Sequence, residues 1–337
     1  MQAFELSRAG DVAQAVRTAA DMARQGVPLR FLAGGTTLVD LMKLDVERPS
    51  RVLDINRLPL AGIDALPDGG LRIGAMVRNA DLAHHPLVAS RYAVLSQALL
   101  SGASPQLRHM ATTGGNLLQR TRCVYFRDVA MPCNKREPGS GCAAIGGFNR
   151  NLAVMGTSDA CIASNPSDMN VALMALDAVI HIEGQGGARQ VAIGDFFTLP
   201  GDTPQRETVL EPGDLITHVT LPPLPDGSRS LYLKLRDRAS YEFALASAAV
   251  VVRMDGPRIA SARFAMGGIG ARPWRVPQAE AMLAGRAPED AAFDAAARRV
   301  LQGARPQSEN GFKVELARRC LVHALQAATS TDGRAVS

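Results

Sequence analysis

The residues with the clearest chemical potential are four cysteines that lie close together in the chain. Cys123, Cys133, Cys142 and Cys161 fall in one segment rich in Gly, Pro, Asn and charged residues, whereas Cys320 lies far away. Four thiolates bind Zn²⁺ or an iron–sulfur cluster. Nine, eight and eighteen residues separate successive cysteines, so the closely paired spacing of zinc fingers and ferredoxins is absent. The spacing leaves open a metal site and four reduced thiols.

Two Gly-Gly turns are candidates for binding an anionic ligand. AGGTTL (33–38) lies between a predicted strand and a predicted helix, and TTGGN (112–116) has similar composition. Glycines allow sharp turns and close backbone approach, and successive N–H groups form an anion-binding nest. Neither turn matches the P-loop or the G-x-G-x-x-G fingerprint. A single Gly-Gly turn is more often structural than ligand-binding, but two nests in one domain suit a ligand with two phosphates better than either does alone.

Two charged residues occupy positions that either the fold or a ligand can use. Asp168 follows Ser167, the predicted N-cap of a helix, where a carboxylate favours the helix dipole or accepts bonds from ligand hydroxyls. Lys234 alternates within the strand-like LYLKLR, which is typical of a solvated face or of a ligand-facing ammonium. The histidines show no metal-ligand spacing, and neither G-x-S-x-G nor H-E-x-x-H occurs. We therefore predict no nucleophile or general base for substrate chemistry.

Composition limits the classes of function. The 337 residues carry a net charge of +5, are 47% hydrophobic and only 4% aromatic, so stacking platforms for nucleic acid are poorly supplied. No apolar run approaches the length of a membrane span. The first residues lack the basic and apolar regions of a signal peptide, so we expect no export signal and reduced cysteines.

Apolar periodicity predicts the elements that would position these residues. Helices are expected at 10–25 with Asp11 as N-cap, at 79–86 with Asn79 as N-cap, at 89–103 and 167–178, and near the end at 277–285, 287–303 and 311–328. Strands are expected at 51–58, 70–77, 178–184, 190–197, 212–223, 231–236, 243–254 and 259–270. Pro and Gly at 222–229 indicate a domain boundary, and the tail from Thr329 is expected to fray. Cys320 is predicted to be a small core residue of the last helix.

Taken together, LAGGTTLVDLMK (32–43), ATTGGNL (111–117), NPSDMNVALMALDA (165–178) and LYLKLRDR (231–238) resemble the FAD-binding medium subunit of the xanthine dehydrogenase and molybdenum hydroxylase family. The resemblance covers nearly the whole chain and implies an α+β fold. It places a two-part FAD-binding domain of the vanillyl-alcohol-oxidase or PCMH type at 1–222. It places a C-terminal α+β domain, an antiparallel sheet with helices, at 228–330.

The cysteine segment (120–165) is unusual for that family. It is most similar to the flavin subunits of bacterial periplasmic aldehyde oxidoreductases, where it holds a [4Fe–4S] cluster; the 4-hydroxybenzoyl-CoA reductase flavin subunit carries such a cluster with different spacing. The resemblance implies Cys123, Cys133, Cys142 and Cys161 as the cluster ligands. Thiolate ligation would order a segment too poor in apolar residues to bury a core. We therefore favour a structural role for the cluster over a role as an electron relay.

The resemblance also implies the FAD contacts. The diphosphate would lie at Leu32, Ala33, Gly34, Gly35, Thr36, Thr37 and Leu38, shared with Gly114, Gly115 and Asn116. Asp168 would bind the adenosine side and Lys234 would lie near the flavin end. Ser104 and Gln106 would line the pocket. Thr37 departs from the family pattern, since many relatives carry Asp there.

The implied function is electron transfer. A large subunit with a molybdenum cofactor would oxidise an aldehyde, a small subunit with two [2Fe–2S] clusters would carry the electrons, and FAD on this chain would pass them to an external acceptor. Relatives with the insertion are exported with a signal-bearing small subunit, so the chain is cytoplasmic by its own sequence or periplasmic by co-export. The alternatives are a flavin subunit of another molybdenum hydroxylase, a stand-alone FAD oxidoreductase, and a non-enzymatic zinc scaffold.

Overall fold

The computed structural model describes residues 1–330. The expected frayed tail lies outside this range after Ser330. The strands are β1 (Glu5–Arg8), β2 (Leu29–Leu32), β3 (Arg51–Asp54), β4 (Ile63–Ala65), β5 (Leu71–Gly74), β6 (Val179–Gly184), β7 (Gly187–Ala192), β8 (Leu215–Leu221), β9 (Ser228–Leu235), β10 (Ala246–Asp255) and β11 (Arg258–Gly267). The helices are α1 (Val12–Arg24), α2 (Leu38–Lys43), α3 (Asn79–His84), α4 (Pro86–Arg91), α5 (Ala93–Ser101), α6 (Pro105–Met110), α7 (Thr113–Leu117), α8 (Val124–Arg127), α9 (Asp168–Ala175), α10 (Ile193–Phe196), α11 (Pro277–Ala281), α12 (Asp290–Val300) and α13 (Phe312–Thr329).

The amino-terminal part is a small parallel sheet of order β1-β3-β2. Helix α1 packs its alanine-rich face, which includes Ala15 and Val16, into the same apolar cluster as Leu53 of β3. Asp11 caps this helix, because its side chain accepts a hydrogen bond of 2.7 Å from the Gln14 N–H. The first Gly-Gly turn directly follows β2, so the sheet holds that turn in place.

The second part is a five-stranded antiparallel sheet of order β4-β5-β8-β6-β7. Helix α9 packs in its core, and all eight of its residues are buried, which explains its nearly continuous apolar sequence. Ser167 caps α9 as predicted, accepting from the Asn170 N–H at 3.1 Å. Asp168 therefore begins a helix that cannot move independently of the core.

The carboxyl-terminal part pairs β9, β10 and β11 in an antiparallel sheet and covers it with α11, α12 and α13. Strand β10 is buried over most of its length, consistent with helices packing on one face and the preceding part of the chain on the other. Cys320 of α13 is 1% exposed and packs in this apolar core, as expected. The predicted α+β organisation is thereby confirmed.

Four local expectations were wrong. The expected strand 190–197 ends at Ala192, and Ile193–Phe196 form the helix α10. Residues 89–103 form two helices, α4 and α5, that meet at Tyr92, whose hydroxyl donates to the Pro222 carbonyl at 2.9 Å. Most of α5 is buried, so it is not amphipathic. Asn79 is the first residue of α3 and is itself buried, and Arg78 takes the capping position. The second Gly-Gly pair lies inside the short helix α7 rather than in an open turn.

The cysteine segment (120–165) contains the short helix α8, turns and isolated bridges instead of regular strands. Its backbone is held by local bonds, such as Asn134 N–H to Gly141 O at 2.7 Å, and by Arg136, which donates to the carbonyls of Tyr125 and Phe126. Among residues 1–330, no helix combines the length and apolar composition needed to cross a membrane.

Candidate cofactor site

The first Gly-Gly turn is an open anion nest. Gly35 has a φ of +74°, a conformation that glycine adopts without strain. Within the described residues, the backbone N–H groups of Gly35, Thr36 and Thr37 donate to no protein acceptor. Thr37 is at the capping position of α2 but makes no side-chain capping bond. Backbone donors and threonine hydroxyls at this turn are therefore available to an anion.

The backbone at Met110 and Ala111, which leads into the second turn, packs directly against the first turn. A Cβ at Gly34 would lie 1.9 Å from the Met110 carbonyl oxygen, so only glycine permits this approach of the two backbones. The turn's own donors are already used: Thr113 N–H bonds Val77 O, Gly114 N–H bonds Ala75 O, and Gly115 N–H bonds Thr112 Oγ1. The expectation of two equivalent nests is therefore corrected. The second turn supports the first turn. Its two glycines leave room for a ligand in the cavity because they carry no side chains.

Both turns line one cavity of about 380 Å³, to which Ala33 through Leu38, Gly114 and Gly115 contribute. Other predicted contacts lie outside its wall. The Leu32 carbonyl accepts from Asn56 Nδ2, and Asn116 Oδ1 accepts from Ser167 Oγ at 2.7 Å. Ser104 caps α6 by accepting from the Leu107 N–H at 3.3 Å, and Gln106 lies exposed on that helix. The structure thus brings together the glycine turns but not these four side chains.

A buried ion pair links helix α9 to the carboxyl-terminal part of the chain. Lys234 Nζ lies 2.8 Å from Asp168 Oδ2, and the two side chains are 3% and 8% exposed. Lys234 also donates to the Ser101 carbonyl at 3.0 Å, and the Tyr232 hydroxyl donates to Asp168 Oδ1 at 2.5 Å. Burial, followed by the adjacent carboxylate, raises the pKa of Tyr232 well above its ordinary value, so this hydroxyl keeps its proton.

Asp168 lines a second cavity of about 530 Å³, which lies between helix α9 and the carboxyl-terminal part of the chain. Ser164, Asn165 and Pro166 line both cavities, so the two spaces are neighbours. The roles implied for Asp168 and Lys234, at opposite ends of an extended dinucleotide, do not fit a pair 2.8 Å apart. Of the two residues, Asp168 lines the second cavity and Lys234 lines neither cavity.

The four clustered cysteines surround one small cavity. Cys133 and Cys142 are bridge partners, and Cys123, Cys133 and Cys161 are buried. Burial raises the pKa of Cys123 to about 11 and also raises that of Cys161. Buried thiols of this kind stay protonated at neutral pH unless a metal binds, and a metal deprotonates a ligating thiol outright. All five cysteines are free thiols rather than disulfides.

Within the described residues, no three His, Cys, Asp or Glu side chains are placed to hold a single metal ion. A tetrahedral zinc site would bring its sulfurs to about 3.8 Å from one another, because each Zn–S bond is about 2.3 Å. A four-iron cluster binds one thiolate at each iron and so spaces its ligands more widely. The donor set therefore suits a cluster better than a preformed zinc site.

A chain of charges forms one wall of the first cavity. Glu47 lies between Arg30 and Arg120, with Arg120 Nη1 2.6 Å from Glu47 Oε1. Glu207 lies between Arg120 and Lys135, with Lys135 Nζ 3.0 Å from Glu207 Oε1. The sequence carries no local signal for these contacts, because the partners are at least 17 residues apart. Tyr232 was also missed, although it lies two residues from Lys234 on the same strand face, which is a usable signal.

Two family models match the chain. Residues 2–224 match the FAD binding domain in molybdopterin dehydrogenase, and residues 231–328 match the CO dehydrogenase flavoprotein C-terminal domain.

Curated proteins and a solved structure are similar over nearly the same extent. The chain is 51% identical to the aldehyde oxidoreductase FAD-binding subunit PaoB of Escherichia coli (strain K12), covering 96% of this chain and 98% of that protein. It is 28% identical to the glyceraldehyde dehydrogenase medium chain of Sulfolobus acidocaldarius, covering 83% and 82%. A carbon monoxide dehydrogenase structure from Hydrogenophaga pseudoflava, lacking the Mo-pyranopterin moiety, matches with a TM-score of 0.75 and 26% identity over 97% of both chains.

Proposed function

The chain belongs to the FAD-binding medium subunits of the xanthine dehydrogenase and molybdenum hydroxylase family, and from this membership we propose that it is the FAD subunit of an aldehyde oxidoreductase. The observation that carries the proposal is the open nest at Gly35–Thr37, which lines the same cavity as the second glycine turn. The aldehyde assignment is supported by 51% identity to a protein named as an aldehyde oxidoreductase subunit.

In this proposal the FAD diphosphate binds at the first turn. The N–H groups of Gly35, Thr36 and Thr37 would donate to its oxygens, and Gly114 and Gly115 would leave room beside them. One half of the dinucleotide would occupy the first cavity. The flavin half would reach the second cavity, where Lys234 would lie near it, with Asp168 beside that lysine. Five predicted contacts line neither the first nor the second cavity and remain predictions: Leu32, Ser104, Gln106, Asn116 and Lys234.

Bound FAD supplies the redox chemistry, accepting electrons and passing them to an external acceptor. The chain's own residues bind and orient it. The Asp168–Lys234 pair, buried with Tyr232, would fix the ammonium beside the Asp168 carboxylate, and Asp168 lines the second cavity. No protein nucleophile or base is required, in agreement with the absence of catalytic motifs from the sequence.

We further propose that Cys123, Cys133, Cys142 and Cys161 hold a [4Fe–4S] cluster. Four soft thiols around one cavity support this assignment, and so does their arrangement, which does not suit a single ion. The cluster would order a segment that contains turns in place of regular strands. The cluster would lie next to the FAD site, because Cys161 lines the first cavity and Cys123 lines the second.

The partners belong to the same proposal. A small subunit with [2Fe–2S] clusters would deliver electrons to FAD, and a large subunit with the molybdenum cofactor would oxidise the aldehyde. The compartment would follow the small subunit: cytoplasmic without an export signal on that partner, periplasmic with one.

The test is made on the assembled complex under anaerobic conditions. Addition of an aldehyde is expected to bleach the flavin absorption bands, and readdition of an electron acceptor is expected to restore them. A complex that oxidises aldehyde while its flavin bands stay unchanged would contradict the proposed electron path. A chain purified without any flavin would contradict the cofactor assignment itself.

A further inference from the structure

Lys135 connects the cysteine site to the first cavity. It lies two residues after Cys133, and its side chain is 8% exposed. It lines both the cysteine cavity and the first cavity. Its ammonium donates to the Pro204 carbonyl at 2.8 Å and lies 3.0 Å from Glu207 Oε1. A residue of the cysteine segment is thus fixed in the wall of the cofactor site.

The Lys135 charge acts on the cysteines. The Lys135 ammonium and the Cys161 thiol line the same cavity, so the ammonium would stabilise negative charge on that sulfur. Electrostatic interactions are strong here because both groups are withdrawn from water. The Glu207 carboxylate acts in the opposite sense, because its negative charge offsets the positive charge of the Lys135 ammonium.

These contacts contrast with those of Arg136, the next residue of the segment. Arg136 donates to the carbonyls of Tyr125, Phe126 and Met131, which are all parts of the same segment. Its bonds order the segment internally. Lys135 instead contacts the carboxylate of Glu207, outside the segment. Its charge therefore has a specific counter-charge, and its role is not only to satisfy backbone carbonyls.

We propose that Lys135 and Glu207 form a charge pair that sets the reduction potential of the iron–sulfur cluster. The inference rests on the proposed [4Fe–4S] cluster. Reduction adds one electron to the cluster, drawn from an external one-electron donor such as dithionite in a titration. Lys135 stabilises the added negative charge and raises the potential, whereas Glu207 destabilises it and lowers the potential. Both are positioning residues, since neither is a cluster ligand.

The two single substitutions therefore have opposite predicted signs. Lys135→Gln is expected to lower the midpoint potential, and Glu207→Gln is expected to raise it. Each change should be about tenfold in the reduction equilibrium, or about 59 mV for a one-electron couple. The double variant is expected to return close to the wild-type potential, and Lys135→Arg, which keeps the charge, should change it little.

The measurement is an anaerobic redox titration of the assembled complex, followed by the electron paramagnetic resonance signal of the reduced cluster. Iron and FAD contents are measured on the same samples. Opposite shifts in variants that retain their iron support the proposal. Shifts in the same direction, or no shift in either variant, overturn it. If Lys135→Gln loses its iron, Glu207→Gln alone decides by the sign of its shift. A wild-type complex without cluster iron would instead contradict the proposed function.

Discussion

Lys234 of β9 and Asp168 of α9 form an ion pair, with Nζ and Oδ2 2.8 Å apart and both side chains almost fully buried. The pair joins the carboxyl-terminal sheet to the helix that begins beside the second cavity. The Tyr232 hydroxyl donates a further hydrogen bond to the Asp168 carboxylate, and the Ser101 carbonyl accepts one from the Lys234 ammonium. Two residues that the sequence suggested as separate ligand contacts are therefore first of all partners of each other.

Breaking this pair should be costly. Asp168→Asn or Lys234→Met alone leaves one buried charge without its partner, so each should lower the free energy of unfolding by about 3–5 kcal/mol. The double variant Asp168→Asn/Lys234→Met removes both charges and should lose less than the sum of the two. Chemical denaturation of the wild type and the three variants measures this. Strictly additive losses would show that the two residues do not interact.

The nest at the first turn predicts a charge-specific loss of FAD. Thr36→Glu places a carboxylate where the diphosphate would bind, whereas Thr36→Gln has nearly the same size without the charge. We expect Thr36→Glu to lower the FAD affinity by tenfold or more, an energy of about 1.4 kcal/mol. Flavin content after dialysis reports the difference. Equal losses in both variants would indicate crowding instead of an anion site at Thr36.

The cysteine site predicts a matched contrast between two serine substitutions. Cys133→Ser removes a proposed cluster ligand and should abolish stoichiometric iron and sulfide. Cys320→Ser alters the buried thiol of α13, far from the cluster, and should retain both. Iron and sulfide analysis of the purified chains makes the comparison. Full iron in Cys133→Ser would remove this cysteine from the ligand set.

The same Cys133→Ser variant separates a structural cluster from an electron relay. With a structural cluster, a folded variant should still show flavin reduction at the wild-type rate in the assembled complex. Stopped-flow measurement of flavin bleaching provides the rate. Slow reduction in a variant that is folded and loaded with FAD would favour the relay.

Lys313 predicts a pH dependence of stability. It is 0% exposed, and its ammonium donates to the carbonyls of Leu152 at 2.9 Å and Gly268 at 2.6 Å, so it attaches the end of the cysteine segment to the carboxyl-terminal domain. Burial lowers its pKa to about 7. In the unfolded chain a lysine has a pKa of about 10.4, so between these values the unfolded state binds more protons and stability rises with pH.

The expected rise from pH 7 to pH 10 is roughly 4 kcal/mol from this residue, at 1.36 kcal/mol for each pKa unit. Lys313→Met should lack this rise and should also be less stable at pH 10, because it leaves buried carbonyls without a donor at about 1–3 kcal/mol each. Denaturation curves at several pH values test this. Parallel pH profiles for wild type and variant would exclude a titrating Lys313.

Local patterns predicted the elements well where capping and periodicity agree. Asp11 and Ser167 cap their helices as expected, and the carboxyl-terminal strands and helices follow their apolar patterns. The pattern failed at Tyr92, because its non-helical backbone (φ −127°, ψ 47°) separates α4 from α5 in a run that is continuous in sequence. It failed at α5 because periodicity is lost when a helix is buried on nearly all sides.

The candidate site was only partly predictable for a related reason. Glycine turns and clustered cysteines are local features and are visible in the sequence. Whether a turn's N–H groups are free depends on distant acceptors such as Ala75, which engages Gly114. The chain of charges along the first cavity also depends on contacts between residues far apart in the sequence. These contacts join Glu47 to Arg120 and Lys135 to Glu207. Tertiary packing alone creates these relationships.

The central claim is that this chain carries both FAD and an iron–sulfur cluster. The direct measurement is the absorption spectrum of the full chain purified anaerobically, together with its FAD, iron, sulfide and zinc contents. The account predicts flavin bands on a broad iron–sulfur absorption, with iron and sulfide in equal amounts. A colourless protein that contains zinc would contradict it.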